Sequence, residues 1–245
     1  GFPPMLAVEA ARGRTEYLIE TEGLASPDIV HQTTFLVKSL MEQGKFREAL
    51  DEGRYWLNRW RVAPLRQEPL SADWVFAKEL KVETRLTNIL NDLAICSREL
   101  GHLDDSQDLF VELLDNGSDD VQFAHAKGLL AEVMAMRGNA VEALPILDAT
   151  LETLRREKES TERFDSAKAL ILTKLDRFQE AESLALAAWK SAGEPESVPW
   201  RRATYLRTLL TVYLRSNQKD KCEEYRAIAT QLGLTHLVDE RETVE

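Results

Sequence analysis

The stretch GKFREAL, residues 44 to 50, decides the fold. A turn former comes first, an aromatic follows two residues on, and Glu-Ala comes at four and five. The pattern returns as GNAVEAL from residue 138 and as DRFQEAE from residue 176. Aligning the whole chain on the turn residue gives Gly44, Gly101, Gly138, Asp176 and Asn217, spaced 57, 37, 38 and 41 residues apart. Each of these residue types tolerates the left-handed conformation that stops a helix. The recurrence is therefore read as an internal repeat built on five turns.

Columns appear on both sides of the turn. Five residues after it stand Ala49, Ser106, Ala143, Ala181 and Cys222, all small. Seven before it stand Val37, Ala94, Ala131, Ala169 and Leu210, and eight before it Leu36, Leu93, Leu130, Lys168 and Leu209. Four before it stand Leu40, Ser97, Met134, Leu172 and Tyr213, and two after it Phe46, Leu103, Ala140, Phe178 and Lys219. Offsets of three and four residues place side chains on one helical face. Each unit thus reads as helix, tight turn, helix, with small residues where the two helices come close. One such hairpin cannot bury its apolar face alone, whereas a stack can.

These columns resemble the tetratricopeptide repeat. The resemblance rests on LVKSLMEQGKFREAL, LAICSRELGHLDDSQDLF, LAEVMAMRGNAVEALPIL, ALILTKLDRFQEAESL and LLTVYLRSNQKDKCEEY, and covers roughly residues 28 to 232. It implies an all-α, right-handed superhelical solenoid of stacked antiparallel helix pairs. The spacings exceed the family's usual ~34 residues, so the helices are expected to be a few residues longer. Lys219 stands where an aromatic or aliphatic residue is usual, and Cys222 occupies the small column. The 57-residue interval carries an insertion. HEAT-like units, with a period of ~40–47 residues, are the structural alternative; the Gly-x-Phe-x-Glu-Ala turn favours the tetratricopeptide reading.

In this register residues 1–27 form a partial repeat, the second half of an earlier hairpin. Pro27 stops that helix, and Ser26 or Asp28 caps the next. Five repeats follow at 28–62, 84–118, 119–160, 161–198 and 199–234, with an insertion at 63–83 and a polar tail at 235–245. Pro64 and Pro69 mark the clearest loop. Ser71 caps the helical stretch after it, which should break near Val82 to Thr84. The opening GFPPML lacks an initiator Met and reads as a cut from something longer.

Bulk properties narrow the function. The chain has 245 residues and a net charge of −11, and its mean hydropathy is −0.33. So acidic a chain is read as binding neither a phosphate backbone nor an anionic membrane surface. No run reaches the ~20 apolar residues that span a bilayer. Two cysteines without a CxxC point to a reducing compartment, and hence to the cytoplasm.

Catalytic motifs are lacking: there is no GxSxG, HExxH, P-loop or GxGxxG. His31 and His125 fall two hairpins apart, His102 lies in a turn, and His236 lies near the end. Cys96 and Cys222 read as buried structural thiols. The chain is therefore read as no enzyme, with no cofactor and no metal. Trp56 and Trp60, four residues apart on one helix face, are expected to pack against residues 64–71 rather than to form a binding patch.

Function then falls on the first helix of each hairpin, at positions 13, 10, 9 and 6 before the turn. These are His31, Thr34, Phe35 and Lys38; Asn88, Asn91, Asp92 and Ile95; His125, Gly128, Leu129 and Glu132; Arg163, Ser166, Ala167 and Leu170; and Thr204, Arg207, Thr208 and Thr211. The partner-binding candidates among them are Asn88, Asn91, Lys38, Phe35, His125, Glu132, Arg163 and Arg207. Asn88 and Asn91 could clamp a peptide backbone, and Lys38, Arg163 and Arg207 could meet acidic groups. Some tetratricopeptide proteins hold acidic chaperone tails with a Lys/Asn clamp. Thr34 and Lys38 stand at the matching places here, so that clamp is not expected. The leading reading is an interaction scaffold for a peptide or protein in the concave groove. The alternative is a regulatory or sensory module of a larger enzyme or transcription regulator. A homo-oligomer is possible but is not indicated by the sequence.

Overall fold

A computed structural model describes residues 4–22, 27–62, 82–115, 121–191 and 199–234. These residues form eleven helices. They are α1 (Pro4–Glu22), α2 (Pro27–Glu42), α3 (Phe46–Val62), α4 (Val82–Glu99), α5 (Leu103–Asp115), α6 (Val121–Met136), α7 (Ala140–Arg156), α8 (Glu162–Lys174), α9 (Phe178–Ser191), α10 (Pro199–Arg215) and α11 (Lys219–Gln231). No strand occurs among the described residues.

All five turn residues are left-handed, with φ of 72° at Gly44, 77° at Gly101, 97° at Gly138, 57° at Asp176 and 58° at Asn217. The backbone closes the same way at each. At the first, Gly44 N–H donates to the Met41 carbonyl at 2.9 Å and Lys45 N–H to the Leu40 carbonyl at 3.0 Å. The pair Asp176-to-Thr173 and Arg177-to-Leu172 repeats this at the fourth turn. These bonds satisfy carbonyls that a helix end leaves orphaned. Two more such stops end α7 and α11, at Lys158 (φ 60°) and Gly233 (φ 66°).

The next helix starts at once, since the Lys45 carbonyl already accepts from Ala49 N–H at 3.0 Å. Ala49, Ser106, Ala143 and Ala181 are fully buried and Cys222 nearly so. A large residue at this column would hold the paired helices apart. Ser106 spends its hydroxyl on the Ala94 carbonyl of the paired helix, at 2.7 Å, so its polar atom is not orphaned. Lys168, the charged member of an apolar column, escapes to the side and pairs with Asp148 of α7 at 2.5 Å.

The chain divides into two compact units, Gly1–Asp119 and Asp120–Glu245. Within the first, α2 packs on α1, α3 and α4, and α4 packs on α3 and α5. Within the second, α6, α8 and α10 pack in succession. The second helices α7, α9 and α11 each pack on their own first helix, and α7 and α9 also pack on the next one. Buried side chains including Leu172, Leu206, Leu209 and Tyr213 fill the space between hairpins in the second unit.

Some expectations change or cannot be followed. Pro27 opens α2 rather than ending α1, because a missing N–H costs nothing at a first helical position. Trp56 is buried and its indole N–H donates to Glu52 at 2.8 Å. The side chain of Trp60, residues 63–81 of the expected 63–83 insertion with its Ser71 cap, and the tail from 235 lie outside the described residues, and α4 already begins at Val82.

The left-handed turns give a stability test. Asp176→Gly should stabilise the chain and Gly101→Val destabilise it, each by roughly 1 kcal/mol, because a Cβ is disfavoured in this conformation. Urea unfolding midpoints measure both.

Candidate functional site

The four surface positions expected on each first helix do not behave alike. Those thirteen and six before the turn are exposed or half-buried in every hairpin: His31 and Lys38, Asn88 and Ile95, His125 and Glu132, Arg163 and Leu170, Thr204 and Thr211. Position nine is buried in Asp92, Leu129, Ala167 and Thr208. Position ten is buried in Gly128 and Ser166 and half-buried in Thr34, Asn91 and Arg207. The expectation that all four positions line an open groove is therefore corrected. Within the second unit two contacts of these positions with a neighbouring first helix are seen. The Ser166 and Thr208 hydroxyls lie 2.8 Å apart in one of them. At Gly128 an added Cβ would lie 2.4 Å from Cε1 of the Phe164 ring, so α8 fills the notch.

In the first unit the candidates Lys38, Asn88 and Asn91 come from the packed helices α2 and α4. Lys38 is exposed, and Asn88 and Asn91 are half-buried. Beneath them Asp92 is only 5% exposed, and its Oδ2 has no hydrogen-bond partner among the described residues. Burial pushes the Asp92 carboxyl up to about 6, against the opposing pull of the Lys38 charge and a side-chain hydrogen bond with Asn91. Asn91 is thus partly committed to Asp92 and is not a clean half of an asparagine clamp. Sequence reasoning placed Asp92 on the surface. Its one signal was being the sole acid among the five residues nine before a turn. Phe35 stays 48% exposed on α2.

In the second unit two candidates gather about one ring, and a third stands beside one of them. Phe164 is buried, His125 lies tilted against it with centroids 5.4 Å apart, and the Arg163 guanidinium stands 5.9 Å from its centroid. Arg163 Nε lies 3.7 Å from Glu132 Oε1, a long and partly exposed pair worth little on its own. Burial holds the His125 imidazole below its ordinary value; Glu159 opposes this and Arg163 adds to it. Sequence reading did not single out Phe164, which orders this group. Arg207 is half-buried on α10.

Elsewhere, a cleft of about 290 Å³ in the first unit is lined by side chains of α3 and α5, among them Leu57, Asn58 and Asp108. Arg54 bridges it to Asp105 at 2.8 Å, and Arg61 to Glu112 at 2.5 Å. Cys96 is fully buried. Its thiol is pushed up to about 12 by burial, with Asp92 and Glu99 adding to the rise, which is the reverse of an activated nucleophile. Among the described residues no group of three or more His, Cys, Asp or Glu is placed to hold a metal. No described helix is long and apolar enough to cross a membrane.

No family model matches the sequence. No curated protein matches it either. Solved structures do. BtubC (BKLC) from P. vanneervenii is 16% identical with a TM-score of 0.62, over all of this chain and 96% of that one. A Rap protein complexed with Competence and Sporulation Factor is 13% identical with a TM-score of 0.66, over 96% of this chain and 66% of that one. A tetratricopeptide repeat protein from Parabacteroides merdae is 14% identical with a TM-score of 0.56, over 92% of this chain and 80% of that one. Identities this low carry the fold alone. That fold is a divergent tetratricopeptide-type helical repeat, all-α and built of antiparallel helix pairs.

The buried carboxylate sets a pH dependence. The folded-state value of Asp92 lies above its ordinary 3.8, so the native state holds this proton more tightly than the unfolded chain. Its contribution to stability is fully present below about pH 4 and is lost as pH rises through about 6. Asp92→Asn should therefore stabilise the protein at pH 7, on the order of 2 kcal/mol, and flatten the stability profile between pH 4 and 6. Urea titrations across that range measure both.

Proposed function

We propose that this chain is a non-catalytic interaction scaffold that takes a peptide or a partner protein on the surface of its first helices. One observation carries the reading. The positions thirteen and six before each turn stay exposed or half-buried in every hairpin, and Asn91 and Arg207, ten before theirs, stay half-buried beside them. The side chains there are mixed in charge and hydrogen-bonding type, as suits a partner's backbone and polar side chains. Lys38, Asn88 and Asn91 are the proposed contacts in the first unit, and His125, Glu132, Arg163 and Arg207 those in the second. The raised Cys96 thiol argues against thiol chemistry at that residue. Cysteine usage supports a reducing compartment, and we place the chain in the cytoplasm.

A regulatory module of a larger enzyme or transcription regulator is the second reading. The Rap protein of the same fold, complexed with Competence and Sporulation Factor, favours it. In that case a ligand on the first helices would shift the equilibrium between two arrangements of the repeats.

A displayed random peptide library, selected on the wild-type chain, tests the site. Selected peptides should bind at least tenfold more weakly to Lys38→Ala, Asn88→Ala, or to Arg163→Ala, Arg207→Ala, the size of effect that central contacts carry. Peptides held equally by the wild type and both double variants would put the binding surface elsewhere.

A further inference from the structure

Nine residues before the five turns stand Phe35, Asp92, Leu129, Ala167 and Thr208. Asp92 alone of these can ionise, and it is buried. In the second unit Thr208 faces Ser166, which stands ten before its own turn, and the two hydroxyls lie 2.8 Å apart. The matching residues in the first unit are Thr34 of α2 and Asp92 of α4, two helices that pack together. There the Oδ2 of Asp92 has no hydrogen-bond partner among the described residues. A buried carboxylate oxygen left in this state is costly. Burial raises the carboxyl to about 6, which still leaves it mostly ionised at pH 7. Packing of one hairpin on the next does not call for this charge, since leucine, alanine and threonine are buried at the same place in the other units.

The surroundings say what Oδ2 can take. An ionised carboxylate only accepts hydrogen bonds, so its missing partner is a donor, and a cationic donor also neutralises the charge. Lys38 of α2 acts on Asp92 through its field, and Asn91 through a side-chain hydrogen bond. Asn88 and Ile95 flank Asp92 on α4 at helical spacing. Lys38 is exposed, and Asn88, Asn91 and Ile95 are half-buried. Lysine and arginine carry their charge at the tip of a thin apolar stem, the shape that passes between such side chains once they turn aside. The Lys38 ammonium opposes a second cation, but a cation in contact with Oδ2 gains more from the nearer charge. The first unit carries 13 Lys and Arg against 21 Asp and Glu, a net charge of −8 that draws basic segments toward it.

We propose that Asp92 is the anchoring anion for a Lys or Arg side chain of a partner segment bound across α2 and α4. This rests on the scaffold reading above and names the partner's chemistry in the first unit. Lys38, Asn88 and Asn91 hold the segment's main chain, and its basic side chain passes between them to Oδ2. The carboxylate that costs the free chain stability is thereby the group that selects the ligand.

The test takes peptides from the library selected on the wild-type chain and keeps those weakened about tenfold or more by Lys38→Ala, Asn88→Ala. These should share a Lys or Arg at one position. Isothermal titration should show Asp92→Asn binding them about tenfold or more weakly, although its urea midpoint is raised, so that lost binding is not lost folding. Replacing the shared basic residue by Gln should weaken binding to the wild type about tenfold, and to Asp92→Asn less than about threefold. Peptides of this set that lack a basic residue, or that lose equally on both proteins when it is replaced, would overturn the proposal and leave the scaffold reading standing. A library that yields no peptide sensitive to Lys38→Ala, Asn88→Ala would overturn the first-unit site itself, and this proposal with it.

Discussion

Each hairpin depends on one backbone hydrogen bond, from the N–H just past the left-handed residue to the carbonyl five residues back. Lys45 to Leu40 is the first instance, at 3.0 Å. The bond reverses the chain within a few residues and leaves no room for a loop. Two helices so joined run side by side from their first turn. Only a small residue five places on lets them do so, which is why Ala49, Ala143 and Ala181 are buried without exception. The larger apolar columns then have one place to go, the space between hairpins. Turn, small column and core are thus consequences of a single closure.

This closure is also why so much of the fold was legible. Glycine, Asp or Asn at the left-handed place is a strong sequence signal, and apolar spacing at three and four residues is another. The stop at Lys158 was not legible, because lysine has no preference for φ of 60° and adopts it here only within the surrounding packing. The candidate site was harder to read than the fold. Periodicity says which face a residue is on, not whether a neighbouring helix covers that face. Gly128 and Ser166 were assigned to open surface on that ground, yet Phe164 and Thr208 cover them. The burial of Asp92 was hidden for the same reason, since it depends on the packing of α2 against α4 rather than on anything local to Asp92.

The two halves of the candidate surface differ in chemistry. The first unit offers amides and one ammonium above a carboxylate held near its point of ionisation. The second offers an imidazole and a guanidinium against the buried Phe164 ring, with the Glu132 carboxylate 3.7 Å from the guanidinium.

The pair formed by Ser166 and Thr208 has a consequence for how the repeats find one another during folding. Hairpins built on the same columns have nearly interchangeable apolar faces, and interchangeable faces invite docking out of order or between chains. The Thr208 hydroxyl donates to the Thr204 carbonyl of its own helix and accepts from Ser166 only when α8 meets α10, so any other pairing takes this partner from the buried Ser166 hydroxyl. Lys168 adds a second mark, since its ammonium finds Asp148 only when α8 lies beside α7. Such polar exceptions lend a nearly periodic chain the address system that its periodicity would otherwise erase.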